Sequence, residues 1–552
     1  YLLAQLDLPI TNLLYAGGGI FQLLAPVEAE ESLLKSRIEI TQRLLRIHGG
    51  ALGLTLEWTP VRVTEVEALD AVRRRLSHRL NAAKRRPFAA LAPEHLAEYV
   101  GAALDFDKGG DPASACEVCG APERLNDGKC AFCFSLETDL GAVLPRATHM
   151  VAFVVPPKKA ERVKSWQAGL CTFGTDLRLL DAADGKMLEE ALRIPQDAAL
   201  ARVWHFNPQA PDAETALLKR LGNIHRVVTY RPFAQLTPYR RNRDEIATFD
   251  HLAEESARGI ERWGVLRMDV DNLGDLFMRG FEKPTLSRTA ALSLALQVFF
   301  EGYLPAAGRE WNAFSQAVQA GVPPAQAWQE RKRDKLYVQY SGGDDLFVVG
   351  AWDALPEFAA RLRQKFKCYA CNNPAVTLSG GIALADAKFP LYQAAEWAGD
   401  AEEAAKRLDR WSGNGQRPET RPDGGPWKKD AITFLDQTVS WEQFNAIQQR
   451  ATKLAGWCES GLAPRALVQL LLAIDAEWRR GLKAQDGKKR KIRPYFGRWM
   501  WQLVYFMTRA AERSKNREVI DGIGQIEREL LGGDVVTLGL TARWAELLIR
   551  GK

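Results

Sequence analysis

No apolar run in this 552-residue sequence approaches the ~20 residues needed to span a bilayer. ALSLALQVFF at 290–299 is among the longest, and it fits a core helix. No basic start leads into an apolar stretch, so no secretory leader is visible. The chain opens at Tyr1 rather than Met, and residues upstream of this numbering are expected. Neither sign of charge dominates: 74 Lys and Arg against 68 Asp and Glu leave +6. That balance permits an anionic partner without requiring one. Eight cysteines are too sparse for a disulfide framework. These absences argue against a helical membrane protein or a small disulfide-stapled scaffold, and the expected location is the cytoplasm. What is present is ordinary globular composition, 46% apolar. At roughly 100–200 residues per domain, about three to five domains are expected.

Half of the cysteines fall in one stretch, CEVCGAPERLNDGKCAFC. Cys116, Cys119, Cys130 and Cys133 form two C-x-x-C knuckles ten residues apart, close to the spacing of tetrahedral Zn2+ sites. Four thiolates leave no open coordination position, so the expected ion is structural. Cys368 and Cys371, in KCYAC, lack a second knuckle and are expected to pack at a helix end.

The chain also repeats itself. LYVQYSGGDDLFVVG (336–350) and NLLYAGGGIFQLLAP (12–26) have the same shape. Tyr15 aligns with Tyr340, Gly17 with Gly342 and Gly18 with Gly343, while Gly19 faces Asp344 and Ile20 faces Asp345. Each hairpin leads into a run of helical period (EAEESLLKSRIEITQRLLRIHGG; ALPEFAARLRQKFKCYA) and then a strand (ALGLTLEW; AVTLSGGIAL). The fold class read from this is α+β, with two related domains of antiparallel sheet, one lacking the acidic pair. Residues 1–105 are assigned to the first, 106–240 to a zinc-binding middle domain and 241–436 to the second. Residues 437–552 read as an all-helical domain, from helical-period runs starting at Trp441, Ala463 and Gly497. The segment 306–328 is expected to be an insertion, and the Gly- and Pro-rich 411–430 an exposed loop.

Two adjacent aspartates at a hairpin tip repel each other and are costly to dehydrate. A turn open to water tolerates them, but the apolar flanks of Asp344 and Asp345 put this hairpin inside a sheet. Upstream, WGVLRMDVDNLGDLF (263–277) reads as a buried strand ending in Asp269-Val270-Asp271. If that strand pairs beside the hairpin, three carboxylates converge. Hard oxygen ligands suit Mg2+ or Mn2+, two such ions serve nucleotidyl transfer, and glycines let a triphosphate approach the backbone.

SGGDDLF (341–347) with RMDVDNLG resembles the palm shared by nucleotide cyclases and polymerases. More narrowly, the chain resembles the large polymerase-like subunit of type III CRISPR effector complexes, the Csm/Cmr large-subunit family. The ordered set carries this: a degenerate first palm, cysteines between the palms, a helical C-terminus, TLSRTAALSLAL (285–296), LSGGIALADAKFPLYQAAEWAGDAEEAAKR (378–407) and KKDAITF (428–434). The resemblance covers nearly the whole chain. It implies two ferredoxin-like palms and a target-RNA-activated nucleotidyltransferase that converts ATP to cyclic oligoadenylates. It also implies other complex subunits, guide RNA and target RNA as partners. By position, it implies that Asp269, Asp344 and Asp345 hold two Mg2+ or Mn2+ ions, assisted by the Val270 carbonyl. Lys406 would neutralise triphosphate charge, and Ser287, Ser341, Gly342 and Gly343 would meet the nucleotide. Gly17, Gly18 and Gly19 would cradle a second nucleotide without supplying a metal ligand. A solvated helix face for Lys406, a helix cap for Ser287 and a plain tight turn for the glycine triplet stay open as alternatives.

Many members carry an N-terminal His-Asp nuclease domain, and none of the seven histidines here is followed by Asp. Two other readings stand beside the synthase. A stand-alone dinucleotide cyclase is disfavoured by Asp-Asp-Leu where a Glu-Phe ending would stand. A non-catalytic scaffold for RNA and protein has no need of three converging acids. Basic stretches at 71–88 and 487–499 would reach phosphates or form solvated faces. The second adds Tyr495, Phe496 and Trp499, beside Arg493 and Arg498, for stacking.

Overall fold

The structure is a computed structural model that describes residues 1–94, 115–158, 163–181, 200–206, 226–230, 236–304, 335–409, 428–486 and 497–550. Within those spans 18, 51, 67, 68, 122–125, 239, 241–244, 257, 283, 284 and 533 are left out, and 186, 190, 193, 195 and 198 are described besides. Two compact units emerge: Tyr1–Phe233 with Gly274–Val298, and Ala234–Leu273 with Phe299–Lys552.

The first unit opens with a hairpin of β1 (Leu13–Gly17) and β2 (Ile20–Leu23), followed by α1 (Glu30–His48) and α2 (Asp70–Lys84). The strand expected at 51–58 does not form among the described residues. Leu56 instead enters a small core with Leu2 and Leu33, while Glu57 takes Arg37 at 3.2 Å and Arg79 at 3.4 Å. Alternating leucines make one apolar face, and here α1 and the hairpin cover that face without a ladder partner. The described sheet of this lobe therefore has two strands, fewer than the ferredoxin-like palm expected.

Further along come β3 (His149–Val154), β4 (Thr175–Leu180), β5 (Leu200–His205) and β6 (Arg226–Tyr230), in sheet order β4-β3-β5-β6. TLSRTAALSLAL folds as α3 (Leu286–Gln297), which packs on β1. Arg73 of α2 ties this segment down, donating to Thr289 Oγ1 at 2.6 Å and to the Phe277 carbonyl at 2.5 Å.

The second unit is built on β7 (Trp263–Val270), β8 (Leu336–Gly342), β9 (Asp345–Ala351), β10 (Leu378–Ala385), β11 (Ala431–Phe434) and β12 (Gln437–Ser440). Their order is β12-β11-β10-β7-β9-β8, with β7 central and antiparallel to both neighbours. The near-continuous apolar run of β7 reflects cover on both faces. On one face α4 (Leu355–Tyr369) drops Leu355 over Gly264 and Gly350. On the other, α5 (Leu391–Arg407) lays Ala394 and Ala398 against Trp263 and Val265.

α5 approaches β10 so closely that a Cβ on Gly381 would stand 2.3 Å from the Glu402 amide nitrogen and 2.6 Å from the Ala398 carbonyl oxygen. Both are backbone atoms of a packed helix, so the clash has no flexible side chain to absorb it. Gly381→Val is expected to cost ~1–3 kcal/mol or more through overpacking, read as a lowered thermal midpoint. Gly274→Ala, with nothing within 4 Å of the added carbon, should leave the midpoint level or slightly raised.

The sheet runs past residue 436. β12 pairs with β11 through the turn Leu435–Asp436, where both φ are positive (48° and 60°), as a type I′ hairpin turn requires. The helical region thus begins four residues later than expected, with α6 (Trp441–Glu459) capped by a Ser440/Gln443 capping box. α7 (Ala466–Asp486), α8 (Arg498–Arg513), α9 (Arg517–Leu531) and α10 (Leu538–Ile549) follow. Helices and sheet share one core: Trp441 Nε1 donates to the Leu378 carbonyl at 2.8 Å, and the Phe434 and Trp544 rings meet at 4.9 Å.

Cys368 and Cys371 are exposed, because α4 ends at Tyr369 and Cys371 turns into positive φ (54°). The expected packing role for this pair is therefore wrong. The insertion at 306–328 and nearly all of 411–430 lie outside the described residues. Among the described residues no helix is long and apolar enough to cross a membrane.

Candidate active site and zinc centre

β7 delivers Asp269 to the end of the sheet where the last turns of α5 bring Glu402 and Lys406. Its register partner on β9 is Asp345, and on β10 it is Ser379. Directly opposed residues of antiparallel strands project to the same face, so Asp269 and Asp345 stand side by side. Asp344 lies in the two-residue turn Gly343–Asp344, where Gly343 takes φ 68° at no steric cost. The Val270 N–H donates to the Asp344 carbonyl at 2.9 Å and pins that turn to the end of β7.

The first hairpin has matching strand pairing. Gly17 pairs with Ile20 as Gly342 pairs with Asp345, and each ladder shifts register just before the aligned Tyr15 or Tyr340. Gly19 has φ 71°; Gly18 lies outside the described residues.

Negative charge is crowded at the acidic tip. Burial, then the Asp269 and Asp345 carboxylates, push the Asp344 carboxyl up to about 6. Burial and Asp269 also raise Asp345, against the pull of Tyr340 and Arg267. Asp345 Oδ1 is buried with no hydrogen-bond partner. Lys406 is not a solvated helix lysine: its Nζ lies 2.9 Å from Asp269 Oδ1 and 2.6 Å from Glu402 Oε1. Burial works against that ammonium, but Glu402 and Asp269 outweigh it and hold its pKa above the ordinary range. Glu402, itself buried, also takes Arg267 Nε at 3.4 Å.

Asp271 is fully buried, and its role is structural. Its Oδ2 accepts from Thr377 Oγ1 (2.7 Å), Ser379 Oγ (3.0 Å) and the Asp430 N–H (3.0 Å), while its own N–H donates to the Thr377 carbonyl (2.8 Å). Asp430 in turn forks onto Arg363 at 2.7 and 3.2 Å. This network fixes the end of β7, and with it Asp269 and the Val270 carbonyl. Sequence reading named Asp271 without a role and missed Glu402 and Arg267. The i,i+4 spacing of Glu402 and Lys406 was the available signal for Glu402.

The remaining nucleotide candidates divide. Gly342 and Gly343 form the tip, but Ser341 is buried and donates its hydroxyl to the Phe300 carbonyl at 2.7 Å, which makes it a strand anchor. Thr285, not Ser287, caps α3, accepting from the Arg288 N–H at 3.4 Å; Ser287 is exposed in the first turn, its hydroxyl 3.1 Å from Thr285 Oγ1.

Four cysteine sulfurs lie within 4.8 Å of one another, with Cys119 and Cys130 at 3.7 Å. A tetrahedron of ~2.3 Å Zn–S bonds has edges of about 3.8 Å, so the donor set fits zinc. Gly120 in positive φ (71°) and its N–H to the Cys116 carbonyl at 2.8 Å shape the first knuckle. Among the described residues this is the one group of three or more His, Cys, Asp or Glu that closes to such spacing. Asp269, Asp344 and Asp345 do not close to that spacing, although Asp269 and Asp345 are paired in register and Asp344 lies on the adjoining turn. A pair of ions ~3.5–4 Å apart spans a wider carboxylate set than one ion does, and the partnerless Asp345 oxygen supplies a donor position. These residues fit hard divalent cations.

Residues 262–412 match the family model for the second palm domain of Cas10/Cmr2, and residues 1–101 match that for domain B of the Csm1 subunit. These two stretches thus resemble domains of the Cas10 and Csm1 large subunits. Among Cas10/Csm1 relatives the chain is similar to the CRISPR system single-strand-specific deoxyribonuclease Cas10/Csm1 (subtype III-A) of Mycobacterium tuberculosis, 27% identical over 92% of this chain and 56% of that protein. The Thermococcus onnurineus protein of the same description is 28% identical over 73% of this chain and 48% of its own length. The Methanocaldococcus jannaschii one is 33% identical over 39% and 26%. The chain thus spans from about a quarter to just over half of these Cas10/Csm1 relatives. A crystal structure of a Csm1–Csm4 cassette with one ATP superimposes with TM-score 0.59 at 20% identity, over 95% of this chain and 63% of that one. A Csm1–Csm4 cassette with cA4 gives 0.57 at 19%, over 98% and 64%. These likenesses show a shared fold.

Proposed function

We propose that this chain forms the nucleotidyltransferase part of the large subunit of a type III CRISPR RNA-guided complex, acting on ATP in the cytoplasm. The observation that carries the reading is the register pairing of Asp269 with Asp345, with Asp344 on the adjoining turn. Two Mg2+ or Mn2+ ions held by these three carboxylates and the Val270 carbonyl would supply activation of a hydroxyl and stabilisation of departing pyrophosphate.

The chain's own residues do the rest. Asp271 holds the end of β7 in place, the Gly342–Gly343 tip sets no side chain of its own against a phosphate, and Lys406, carried by Glu402, offers a cation to the triphosphate. In the proposed reaction the 3′-oxygen of one ATP bonds the α-phosphorus of the next. The bond from that phosphorus to the bridging oxygen breaks, pyrophosphate leaves with the electron pair, and the hydroxyl proton passes to water. Repetition and ring closure give cyclic oligoadenylates. Gly17–Gly19 is proposed to receive a second nucleotide. Guide RNA, target RNA and a Csm4-like subunit are the proposed partners; the neighbours crystallised as Csm1–Csm4 cassettes with ATP and with cA3 support this. The proposed domain limits are 1–105, 106–240, 241–440 and 441–552, the last boundary following from β12 and α6. The deoxyribonuclease activity in the relatives' names is not proposed for these residues, which contain no His-Asp dipeptide.

Chromatography of the products from ATP and Mg2+, with and without guide and target RNA, tests the proposal. It predicts 3′–5′ linked oligoadenylates and pyrophosphate that rise with target RNA. Products formed only from GTP would make this a dinucleotide cyclase, and an RNA-loaded complex with no turnover would leave a scaffold.

A further inference from the structure

α8 turns two large rings to solvent. Its inner face buries Trp499, Leu503, Met507 and Ala510, so Trp499, expected to stack on a ligand, belongs to the core. Trp501 and Tyr505 are 58% and 51% exposed. They stand one turn apart, about 6 Å along the axis, nearly twice the ~3.4 Å rise of stacked bases. The Arg498 guanidinium lies 5.9 Å from the Trp501 ring centre, and that of Arg509 lies 6.0 Å from Tyr505. Positions i, i+3, i+7 and i+11 thus run cation, ring, ring, cation along one stripe.

Charge identifies the partner. From 487 to 511 the sequence holds five Lys or Arg at 488–493, then Arg498 and Arg509, and no acidic residue. Protein–protein interfaces are depleted in Lys at their cores, whereas an acid-free cationic run with interleaved rings suits a polyanion whose bases stack. The first acid, Glu512, meets Arg509 at 3.4 Å at the far end of the stripe.

We propose that this face of α8 is a stacking platform for single-stranded RNA, with Trp501 and Tyr505 each receiving one unstacked base and the arginines taking phosphate. The choice of RNA rests on the RNA-guided reading above; the platform rests on α8 itself.

The test is binding of a labelled 20-nucleotide oligouridine to the full chain across a salt series. Trp501→Ala and Tyr505→Ala should each weaken binding roughly tenfold, and Trp501→Phe should keep most of it. Arg498→Gln should reduce the slope of log K against log salt by about 0.7. Photocrosslinking of 5-iodouridine RNA to the unaltered chain should map to Trp501 or Tyr505, a readout that needs no variant to fold. ATP turnover is not read, so failure of the palm assignment leaves this test intact. The proposal is overturned if the unaltered chain does not bind oligouridine or if the double alanine variant binds it as well as the parent. It is also overturned if that variant loses a protein subunit instead of RNA, or if oligothymidine alone is bound through these residues.

Discussion

Replacing Asp344 by Asn is expected to remove ATP turnover while raising the thermal midpoint of the metal-free chain. Loss of a preorganised charged group at a reacting centre lowers kcat by roughly 10^2–10^3-fold, and Asp344→Ala with Asp345→Ala should leave none measurable. The stability effect runs the other way. The folded state pushes the Asp344 carboxyl up to about 6, above its ordinary 3.8. A folded-state pKa above the unfolded value means that folding disfavours the charge. The penalty is fully present above about 6 and fades as pH falls toward 3.8. Asn carries no charge, so its gain should appear at pH 8 in chelator and shrink at pH 4. A purely structural aspartate would lose stability when neutralised. Circular dichroism melts in EDTA, beside turnover assays in Mg2+, separate the two cases. Assembly with partner subunits should be unaffected, because the turn carries the charge without building the core.

Removing zinc should produce the other large effect. Among the described residues, the core around the knuckles consists of Cys116, Cys130 and Cys133 with Ala121 and Phe132 packed against them. So small an apolar cluster cannot hold a fold alone. Structural Zn2+ in small domains contributes an apparent ~10–16 kcal/mol, and the ion is then the core of this segment. Cys119→Ser with Cys130→Ser should lose the bound zinc, measured by elemental analysis, and open the region around 116–146 to proteolysis. Cys368→Ser with Cys371→Ser should keep full zinc content. Equal zinc loss from both double variants would break the assignment.

The sequence made the second palm legible because its signals are local. Two apolar strands around Gly-Gly-Asp-Asp, a helix and a glycine-bearing strand each declare themselves by period and turn chemistry. The acidic pair and Asp269 were found for the same reason, since charge inside apolar flanks has few explanations. What escaped is what depends on register and on helix placement. Glu402 and Arg267 matter only because Gly381 lets α5 lie on β10, and no period in the sequence states which helix residue meets which strand. Ser341 looked like a ligand contact from its place beside the glycines, and only the fold shows the Phe300 carbonyl waiting for it. The strand expected at 51–58 failed because alternation reports one covered face and does not report a ladder. Trp499 and Trp501 differ by two positions on one helix, which is enough to send one ring to the core and the other to solvent.

The most direct measurement is anomalous scattering from crystals of the chain grown with Mn2+ and a non-hydrolysable ATP analogue. The account predicts manganese coordinated by Asp269 together with Asp344 or Asp345, with the triphosphate beside it and Lys406 released from Asp269. Manganese bound elsewhere, with those three carboxylates bare and Lys406 still paired to Asp269, would contradict it.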